Sequence, residues 1–395
     1  MHWTTAATLL NWIIALFWTW RTLVALKNLP KIPNLLHLQH ESSQPKPLQP
    51  QITVIVPARN EAQAIEQTLR SLLAQTVPVE IIAIDDRSTD ATGEIMDRLA
   101  AEASRAGKSL TVIHVTELPA GWMGKTHAMA LAARQSTTPW LLFTDGDVLF
   151  SEDALQRALE YAEGASVDHL VIFPTLILKT FGERMMIALF QALSAIAAQP
   201  WKIADPQSRR ESLGIGAFNM ARAEAYRSIG GFEALRMEVL EDLRLGFEMK
   251  RNSFRQHVAF GPGLLRIHWA AGAFGILRNL TKNFFAVFRF KPQILMGACV
   301  FLTLLSLGPF AGWFGSTSMR LASALMFLMI TLLYRYYRQF TGIGLGYVLT
   351  FPIAAALLVY AILRSMAVTL TRGGVDWRGT FYSLKELRQH AGPLR

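Results

Sequence analysis

Short apolar segments alternate with segments of helical periodicity between residues 52 and 144, and this alternation limits the fold more than any other feature of the chain. Residues 52–56, 80–86, 110–115 and 140–144 have the length and the apolar composition of buried strands. Strands that alternate with helices build a largely parallel sheet with helices on both faces. The sequence therefore predicts an α/β domain.

Three helices are predicted between these strands. Residues 61–74 repeat apolar side chains at helical spacing. Ser88 is placed to cap the second helix, which carries Ile95 and Leu99. The third helix is expected to begin after Gly124. These helices would cover the predicted sheet.

Three of the predicted strands end in polar residues. The strands are followed or closed by residues 57–61, 85–90 and 145–147, which are rich in Asp, Asn, Glu and Arg. Ligands of open parallel sheets bind beyond the carboxyl ends of the strands, so we expect one site at this edge. The first strand is not followed by a GxGxxG or GxxxxGK[ST] loop. This absence counts against a dinucleotide oxidoreductase and a P-loop NTPase.

Asp145 and Asp147 follow the fourth apolar strand and are separated by one glycine. In an extended strand, residues i and i+2 project from the same side. Gly146 would allow a backbone or a ligand to come close between them. Two carboxylates in this arrangement can hold a divalent cation and, through it, a diphosphate.

The composition excludes several classes of protein. The 395 residues carry 39 Lys and Arg against 29 Asp and Glu, a net charge of +10, and 51% are hydrophobic. A disordered chain and an ordinary cytosolic enzyme both fit poorly. No basic run is interleaved with stacking aromatics, so anionic lipid headgroups explain the charge better than nucleic acid. Cys299 is the only cysteine, which excludes an intramolecular disulfide and a thiolate metal site, and its apolar surroundings favour a buried hydrophobe.

An apolar segment near the N-terminus predicts a membrane anchor. Residues 5–26 are rich in tryptophan, with no basic stretch before them and no small-residue cleavage site after them. Arg21, Lys27 and Lys31 follow the apolar part. By the positive-inside rule they place the downstream chain in the cytoplasm. The proline-containing residues 30–50 are predicted to be a linker.

The C-terminal part predicts a membrane bundle whose topology stays open. Spanning segments are expected at about 294–314, 321–334 and 347–370. Crossing three times would put the basic C-terminal residues outside, against the positive-inside rule. Either one segment is re-entrant or interfacial, or residues 342–370 fold back. The basic residues concerned are Arg372, Arg378, Lys385 and Arg388.

Two more segments have helical periodicity. Residues 274–290 place Arg278, Lys282 and Arg289 on one stripe beside several phenylalanines, which is typical of a helix in the headgroup layer. Residues 185–198 form either a membrane-facing helix that guides a lipid or a core helix, because apolar spacing does not reveal the partner.

Five motifs, in order, resemble glycosyltransferase family 2 enzymes with the GT-A fold. They are residues 52–61, 84–90, 121–128, Asp145-Gly146-Asp147 and residues 240–242. The resemblance covers about 50–251, and the flanking apolar segments look like those of bacterial lipid glycosyltransferases, including hopanoid-associated and carotenoid-ester types. It implies a Rossmann-like mixed sheet flanked by transmembrane helices.

The resemblance assigns donor-binding roles. Pro57 and Glu61 would lie against the nucleoside. Asp86 would accept a hydrogen bond from the uracil of a UDP-sugar, although a turn or capping acid is an alternative. Asp147 would ligate Mg²⁺ or Mn²⁺, and Asp145 would face the metal or the ribose.

Lys125, ahead of a predicted helix, would meet phosphate with its ammonium group. A solvated surface lysine is the alternative. Trp122 would only cover the site.

Asp242 would be the catalytic base that takes the acceptor proton, with Glu241 supporting it. From the residues alone, both are first-turn acids of a helix over 243–251, favoured by the helix dipole, and the two interpretations are compatible.

Three other features have two interpretations each. Residues 214–219 and 230–232 look like the family's acceptor-side loop and a following turn, but their glycines also suit simple turns. His268 would contribute a diphosphate or metal contact, or be structural.

The sequence also predicts the type of transfer. The Gln-x-x-Arg-Trp motif of processive synthases is not present, which favours transfer of a single sugar over extrusion of a polymer. The resemblance implies an inverting, metal-dependent transfer from a nucleotide donor, expected to be UDP-linked, to a membrane lipid. A polysaccharide synthase and a non-catalytic membrane scaffold or transporter are the alternatives. We expect a multi-pass protein of the bacterial inner membrane with its catalytic domain in the cytoplasm. The expected divisions are an anchor (1–29), linker (30–50), catalytic domain (51–265), interfacial region (266–292), bundle (293–371) and basic tail (372–395).

Overall fold

The computed structural model describes residues 2–37 and 49–392, which group into two compact units. The sheet unit comprises Ile32–Ile177 and Lys202–His268, together with the C-terminal end from Gly392. The helical unit comprises the N-terminal residues up to Lys31, Leu178–Trp201 and Trp269–Ala391. The predicted linker prolines Pro45 and Pro47 lie outside the described residues.

In chain order, the β-strands are β1 Ile52–Ala58, β2 Glu80–Asp86, β3 Ser109–Val115, β4 Trp140–Phe143, β5 Val148–Phe150, β6 His169–Phe173, β7 Thr175–Leu176, β8 Asn219–Arg222, β9 Gln256–Phe260, β10 Leu265–Ile267, β11 Gly374–Trp377 and β12 Thr380–Ser383. The four strands that the sequence predicts are β1 to β4.

The α-helices are α1 His2–Asn28, α2 Ile65–Leu73, α3 Thr92–Arg105, α4 Gly124–Gln135, α5 Ala154–Gly164, α6 Phe181–Ala197, α7 Ala223–Ser228, α8 Gly231–Ala234, α9 Glu241–Arg251, α10 Gly272–Thr281, α11 Phe284–Val287, α12 Pro292–Ala311, α13 Thr317–Thr341, α14 Phe351–Arg372 and α15 Leu384–His390.

The sheet unit is built on a seven-stranded mixed sheet in the order β3-β2-β1-β4-β8-β6-β9. Its neighbouring strands pair in parallel except at β8, which is antiparallel to both β4 and β6. A smaller sheet has the order β5-β10-β7. The carboxyl ends of β1, β2 and β4 lie at one edge, as the sequence predicts.

Helices cover both faces of the large sheet because its strands are apolar on both sides. In β1, Val54 and Val56 pack in one core with residues of α2 and α3, whereas Ile55 packs in the other core with α4. This alternation follows the period of two along a strand. The prediction of an α/β domain with helices on both faces is confirmed.

The helical unit contains the apolar segments. Thr4–Lys31, Thr317–Thr341 and Leu345–Arg372 are long and apolar enough to cross a membrane, and Pro292–Gly308 is a shorter apolar helix. Residues 185–198, which the expected divisions place in the catalytic domain, belong to α6 and its C-terminal cap and lie in this unit.

The predicted amphipathic helix over 274–290 is not continuous. It divides into α10 and α11, and Arg289 and Phe290 have positive φ angles of 56° and 55° that end helical geometry. The Lys282 ammonium lies 4.1 Å from the centroid of the Trp377 ring. Arg289 donates a hydrogen bond to the carbonyl of Ala391. The prediction of one continuous helix with a single basic stripe is therefore wrong. Two of the three basic residues, Lys282 and Arg289, contact C-terminal residues, and sequence periodicity cannot reveal such distant contacts.

Helix α12 runs antiparallel to α1. Gly312, just beyond α12, lies beside Asn11: a methyl group on this glycine would come within 2.5 Å of the Asn11 amide nitrogen. One turn earlier Gly308 faces Ile14, and the Leu305 carbonyl accepts a hydrogen bond of 3.0 Å from Trp18. Contacts made by earlier residues of α12 thus fall on later residues of α1, which is the pattern of two antiparallel helices.

Helix α13 runs in the same direction as α1. Near its start, the Met319 carbonyl accepts a hydrogen bond of 2.9 Å from Asn11. Near its end, the Tyr337 hydroxyl bonds Ser194 of α6. Arg21 of α1 donates a 2.8 Å hydrogen bond to the carbonyl two residues further along α6. The later parts of α1 and α13 therefore meet the same segment.

Helix α14 begins part-way along the bundle. Its first residue, Phe351, packs edge-on against Trp18 of α1 and stacks on Phe310 of α12. Two-thirds of the way along α14, the Ser365 hydroxyl accepts a 2.9 Å hydrogen bond from the amide of Phe285, just before the start of α12. Helix α14 is therefore antiparallel to α12.

The predicted basic tail contains ordered elements. Strands β11 and β12 form an antiparallel hairpin, and α15 follows with a capping box formed by Ser383 and Glu386. These elements were not predicted, since a two-stranded hairpin of four-residue strands carries little periodicity.

Candidate functional site

A buried lysine connects two of the acidic motifs. The Nζ atom of Lys125, in the first turn of α4, lies 2.6 Å from Oδ1 of Asp145 after β4 and 2.6 Å from Oε1 of Glu241 at the start of α9. Burial alone would lower the pKa of Lys125, but Asp145, Glu241 and then Asp242 raise it above its usual value. The lysine is charged, and it is not a solvated surface residue.

Asp145 and Asp147 lie in a turn between β4 and β5. The expectation that they share one side of an extended strand is therefore wrong. They still interact: burial, then the carboxylates of Asp145 and Glu61, raise the pKa of Asp147 to about 7. The turn brings together acids that repel one another when ionised.

The carboxylate oxygens at this site are ligands of the kind that a divalent cation prefers. Four carboxylates interact with Lys125 and a fifth, Glu61, with Asp147, so negative charge is in excess; burial first and then this charge raise the pKa of Asp147. Within residues 2–37 and 49–392, no three acidic, His or Cys side chains form a ready-made metal cluster. Mg²⁺ and Mn²⁺ sites of the kind that take most of their oxygens from diphosphate and water need only one or two carboxylates. The carboxylates are Glu61, Asp145, Asp147, Glu241 and Asp242.

Asp242 is fixed at the first turn of α9. Its Oδ2 accepts a 2.9 Å hydrogen bond from the Gly216 amide, and its Oδ1 accepts one of 2.7 Å from the Leu243 amide. Burial and the adjacent Glu241 carboxylate raise the pKa of Asp242 above its usual range. Both acids occupy the first turn of the helix, as the residues alone predict.

Gly214 and Gly216 are needed for close approach rather than for turns. Neither has a positive φ angle, but a methyl group on Gly214 would lie 1.7 Å from the carbonyl oxygen of Asp242. On Gly216 it would lie 2.5 Å from Oδ2 of Asp145. The loop thus touches both acids. Gly230 and Gly231, with φ angles of 82° and 53°, do serve a turn.

Asp86 lies against the start of α4. Its carboxylate forms a salt bridge of 2.8 Å with Arg87, and a methyl group on Gly124 would come within 2.2 Å of its Oδ2. Gly124 therefore lets the helix N-terminus approach a carboxylate, an arrangement that the helix dipole favours. Pro57 is the penultimate residue of β1, the strand next to β2.

The loops after β1 and β2 bind each other. The Asn60 amide donates to Ser88 Oγ at 3.1 Å, and Asn60 Oδ1 accepts from the Thr89 amide at 2.8 Å. The Glu61 amide donates to Thr92 Oγ1 at 2.8 Å. Ser88 is thus not the cap of α3, which begins at Thr92. The sequence analysis did not predict these hydrogen bonds between the two loops, although the sequence contains the pattern that indicates them, small polar residues after two adjacent strands.

A small cavity lies between α4, the end of β4, β8, α8 and the start of α9. Besides predicted site residues and two residues of the expected acceptor-side loop (214–219), the cavity is lined by Met129, Phe143 and Thr144, which the sequence did not assign to a ligand because they come from separate helices and strands. The lining residues are Lys125, Met129, Phe143, Thr144, Gly216, Asn219, Phe232, Glu241 and Asp242. His268 follows β10 and is not among them, so its role stays a prediction.

Comparison with known proteins identifies the domain. Residues 53–243 match the family model described as glycosyl transferase family 2. These residues form a family 2 glycosyltransferase domain. The eight predicted site residues all lie within it, from Pro57 to Asp242.

Relatives of known name match most of the chain. The 4,4'-diaponeurosporenoate glycosyltransferase of Staphylococcus aureus strain bovine RF122 / ET3-1 is 26% identical over 348 residues, covering 85% of this chain and 89% of the relative. The protein of the same name from strain USA300 gives the same figures. The match therefore extends beyond the family 2 domain.

A solved structure confirms the fold. A mannosyltransferase from Pyrobaculum calidifontis, in complex with GDP-Man and Mn²⁺, aligns with a TM-score of 0.51 at 21% identity and covers 90% of this chain and 97% of its own. The family 2 domain has the GT-A fold, as the sequence motifs predict.

Proposed function

We propose that this protein is an inverting, hexosyltransferase-type enzyme that moves a single sugar from a UDP-sugar to a hydroxyl or carboxyl group of a carotenoid-type membrane lipid. The observation that carries the proposal is the Lys125 bridge between Asp145 and Glu241, which joins the donor-side and acceptor-side acids in one site. The named relatives support the acceptor class, because they align with 85% of the chain.

The donor would bind at the carboxyl ends of β1, β2 and β4. Pro57 and Glu61 would contact the nucleoside, and Asp86 would accept a hydrogen bond from the base after releasing Arg87. Asp147 and Asp145 would hold Mg²⁺ or Mn²⁺, which when bound supplies positive charge to the diphosphate. The excess of carboxylates over lysine supports this assignment.

Asp242 would accept the proton of the attacking hydroxyl at its carboxylate. Its raised pKa suits a base that works near neutral pH, because such a group is ionised there but still binds a proton readily. Glu241 would support it by holding Lys125 at the site. Lys125, expected to meet phosphate, would then keep the acids together and balance their charge in a buried setting.

A product assay tests the proposed function. Membranes containing the protein are incubated with a panel of labelled nucleotide sugars and with carotenoid-type hydroxyl and carboxyl acceptors, and the extracted lipids are analysed by mass spectrometry. We expect one lipid product heavier by one sugar, formed from a UDP-sugar. A ladder of products would indicate a polysaccharide synthase, and normal cellular function of an Asp242→Asn protein would indicate a scaffold.

We infer that α1, α12 and α13 cross the bacterial inner membrane and that α14 is the inward limb of a re-entrant segment. The antiparallel α12 and the parallel α13 would leave the end of α13 on the side of Lys27 and Lys31. Residues 342–350 would then re-enter the membrane from the cytoplasmic side as far as the depth of Trp18, where α14 begins. The basic C-terminal residues would face the cytoplasm and anionic headgroups, which satisfies the positive-inside rule.

Cysteine labelling tests this topology. In a Cys299→Ser background, Thr317→Cys should react with a membrane-impermeant thiol reagent in intact cells, because it begins α13 on the outer side. Lys385→Cys should react only after lysis. Glu117→Cys, in the family 2 domain, is the matched cytoplasmic control. Labelling of Lys385→Cys in intact cells would show instead that the C-terminal part crosses three times.

A further inference from the structure

A chain of buried polar side chains crosses three adjacent strands behind Asp242. His169 of β6, Asn219 of β8 and Gln256 of β9 are at most 2% exposed. Strand β6 lies between the other two, and His169 is the register partner of Gln256. A ladder of buried polar groups across the last three strands of the sheet requires an explanation, since burying polar groups costs free energy unless each is hydrogen-bonded.

The hydrogen bonds of this chain fix its direction. The Gln256 amide nitrogen lies 2.6 Å from Nδ1 of His169, and Nε2 of His169 bonds Oδ1 of Asn219. Since an amide nitrogen only donates and an amide oxygen only accepts, His169 must be neutral with its hydrogen on Nε2. Burial, which lowers the pKa of His169 to about 4, keeps it neutral.

Both ends of this series of hydrogen-bonded side chains, Asn219 and Gln256, bind main-chain groups close to Asp242. The Asn219 amide nitrogen donates to the main-chain carbonyl of Asp242 at 3.3 Å. At the other end, Gln256 accepts from the Leu213 main-chain amide at 3.0 Å, and the second hydrogen of its amide nitrogen is shared between the carbonyls of Leu213 at 3.1 Å and Gly246 at 3.0 Å. The chain therefore holds the start of α9 and the loop that begins at Leu213.

This loop is the one that positions the Asp242 side chain. Its Gly216 amide donates to Oδ2 of Asp242, and its Gly214 packs directly on the Asp242 carbonyl. A shift of the loop relative to α9 would move the hydrogen bond that orients the carboxylate. Stability alone would be served by apolar side chains of the same size, which cost no desolvation. The directional contacts instead suit a role in orientation.

We propose that His169 is a positioning residue for sugar transfer, which acts through Asn219 and Gln256 to hold Asp242 in the geometry required of the base. The inference rests on the proposed role of Asp242. His169 does not line the cavity, and its hydrogen bonds lead to Asn219 and Gln256, so its removal should lower kcat and leave the KM for the donor unchanged.

Three substitutions at His169 separate orientation from packing. The amide nitrogen of His169→Gln can replace Nε2 and keep the bond to Asn219, whereas His169→Asn replaces only Nδ1 and loses that bond. His169→Phe loses both bonds but fills the space. Loss of partners that orient a reacting group typically costs about 10- to 100-fold in activity.

We therefore expect kcat to fall about 10- to 100-fold in His169→Asn and His169→Phe and less than about threefold in His169→Gln, each normalised to sites that bind UDP and Mn²⁺. If the three variants have the same kcat per binding site as one another, the hydrogen bond to Asn219 has no effect on turnover. That result would overturn the proposal and leave only a packing role. Asp242→Asn, measured in parallel, tests the base itself: if it retains full turnover on a hydroxyl acceptor, the proposed function fails whatever the His169 series shows. If it is inactive while His169→Asn is normal, only the positioning role fails.

Discussion

Replacing Asp242 with asparagine is expected to lower transfer to a hydroxyl acceptor by about 10³-fold, since general base catalysis typically contributes 10²- to 10⁴-fold. Asparagine keeps the size of the side chain and can still accept the hydrogen bond from the Gly216 amide. It cannot take a proton from the acceptor. Binding of UDP with Mn²⁺, measured by calorimetry, should persist, because the donor-side acids Asp145 and Asp147 are unchanged.

The same variant distinguishes two classes of acceptor. A carboxyl acceptor has a pKa near 4 and is already ionised at neutral pH, so its attack on the sugar needs no base. Asp242→Asn should therefore retain far more activity on a carboxyl acceptor than on a hydroxyl acceptor. Glu163→Gln, a surface change in α5, is the control and should not affect either. Unchanged turnover of Asp242→Asn on the hydroxyl acceptor would contradict the assignment of the base.

Replacing Asp147 with alanine is expected to weaken Mn²⁺-dependent binding of UDP by at least about 100-fold, since even partners outside the ligand shell change metal affinity 10- to 100-fold. The change removes a proposed ligand from a buried turn. It also removes a carboxylate whose pKa is raised by burial and then by repulsion from Asp145 and Glu61, so the protein should stay folded. Calorimetric titration of UDP with Mn²⁺, and with EDTA instead, measures the effect.

The pH dependence of binding gives the same assignment a second test. Metal binding requires an ionised carboxylate, and Asp147 in the free protein has a pKa of about 7. Mn²⁺-dependent affinity should therefore fall as the pH drops below 7 and level off above it. Asp147→Ala should show only a weak trend, and Glu163→Ala should match the unchanged protein. An affinity that is independent of pH between 5 and 8 would argue against Asp147 as a ligand.

Local pattern was sufficient for much of the fold. Strands β1 to β4 were predicted because continuous apolar segments of that length have few alternatives once helices alternate with them. The polar residues at their carboxyl ends were predicted to meet because parallel strands end at one edge of a sheet. The order and type of residue also predicted a family 2 glycosyltransferase domain, which the match over residues 53–243 confirms.

Other predictions failed where a distant segment decided the outcome. Ser88 binds Asn60 in the loop after β1 instead of capping α3, and Lys282 packs on Trp377 instead of continuing one helical stripe with Arg278 and Arg289. Neither partner lies within the range of helical or strand periodicity. Asp147 is a further case: the sequence pattern predicted an extended strand through Asp145 and Asp147, whereas the structure has a turn there.

By itself the sequence determined the elements, the acids and their order, because these depend on side chains a few residues apart. Only the tertiary structure decided how the acids are held. It placed Lys125 between Asp145 and Glu241, set glycines where loop backbone touches two carboxylates, and linked His169 to Asp242 through Asn219. Those contacts join residues that are far apart in the chain, and their cost in buried charge and polarity is balanced only when all of the partners meet.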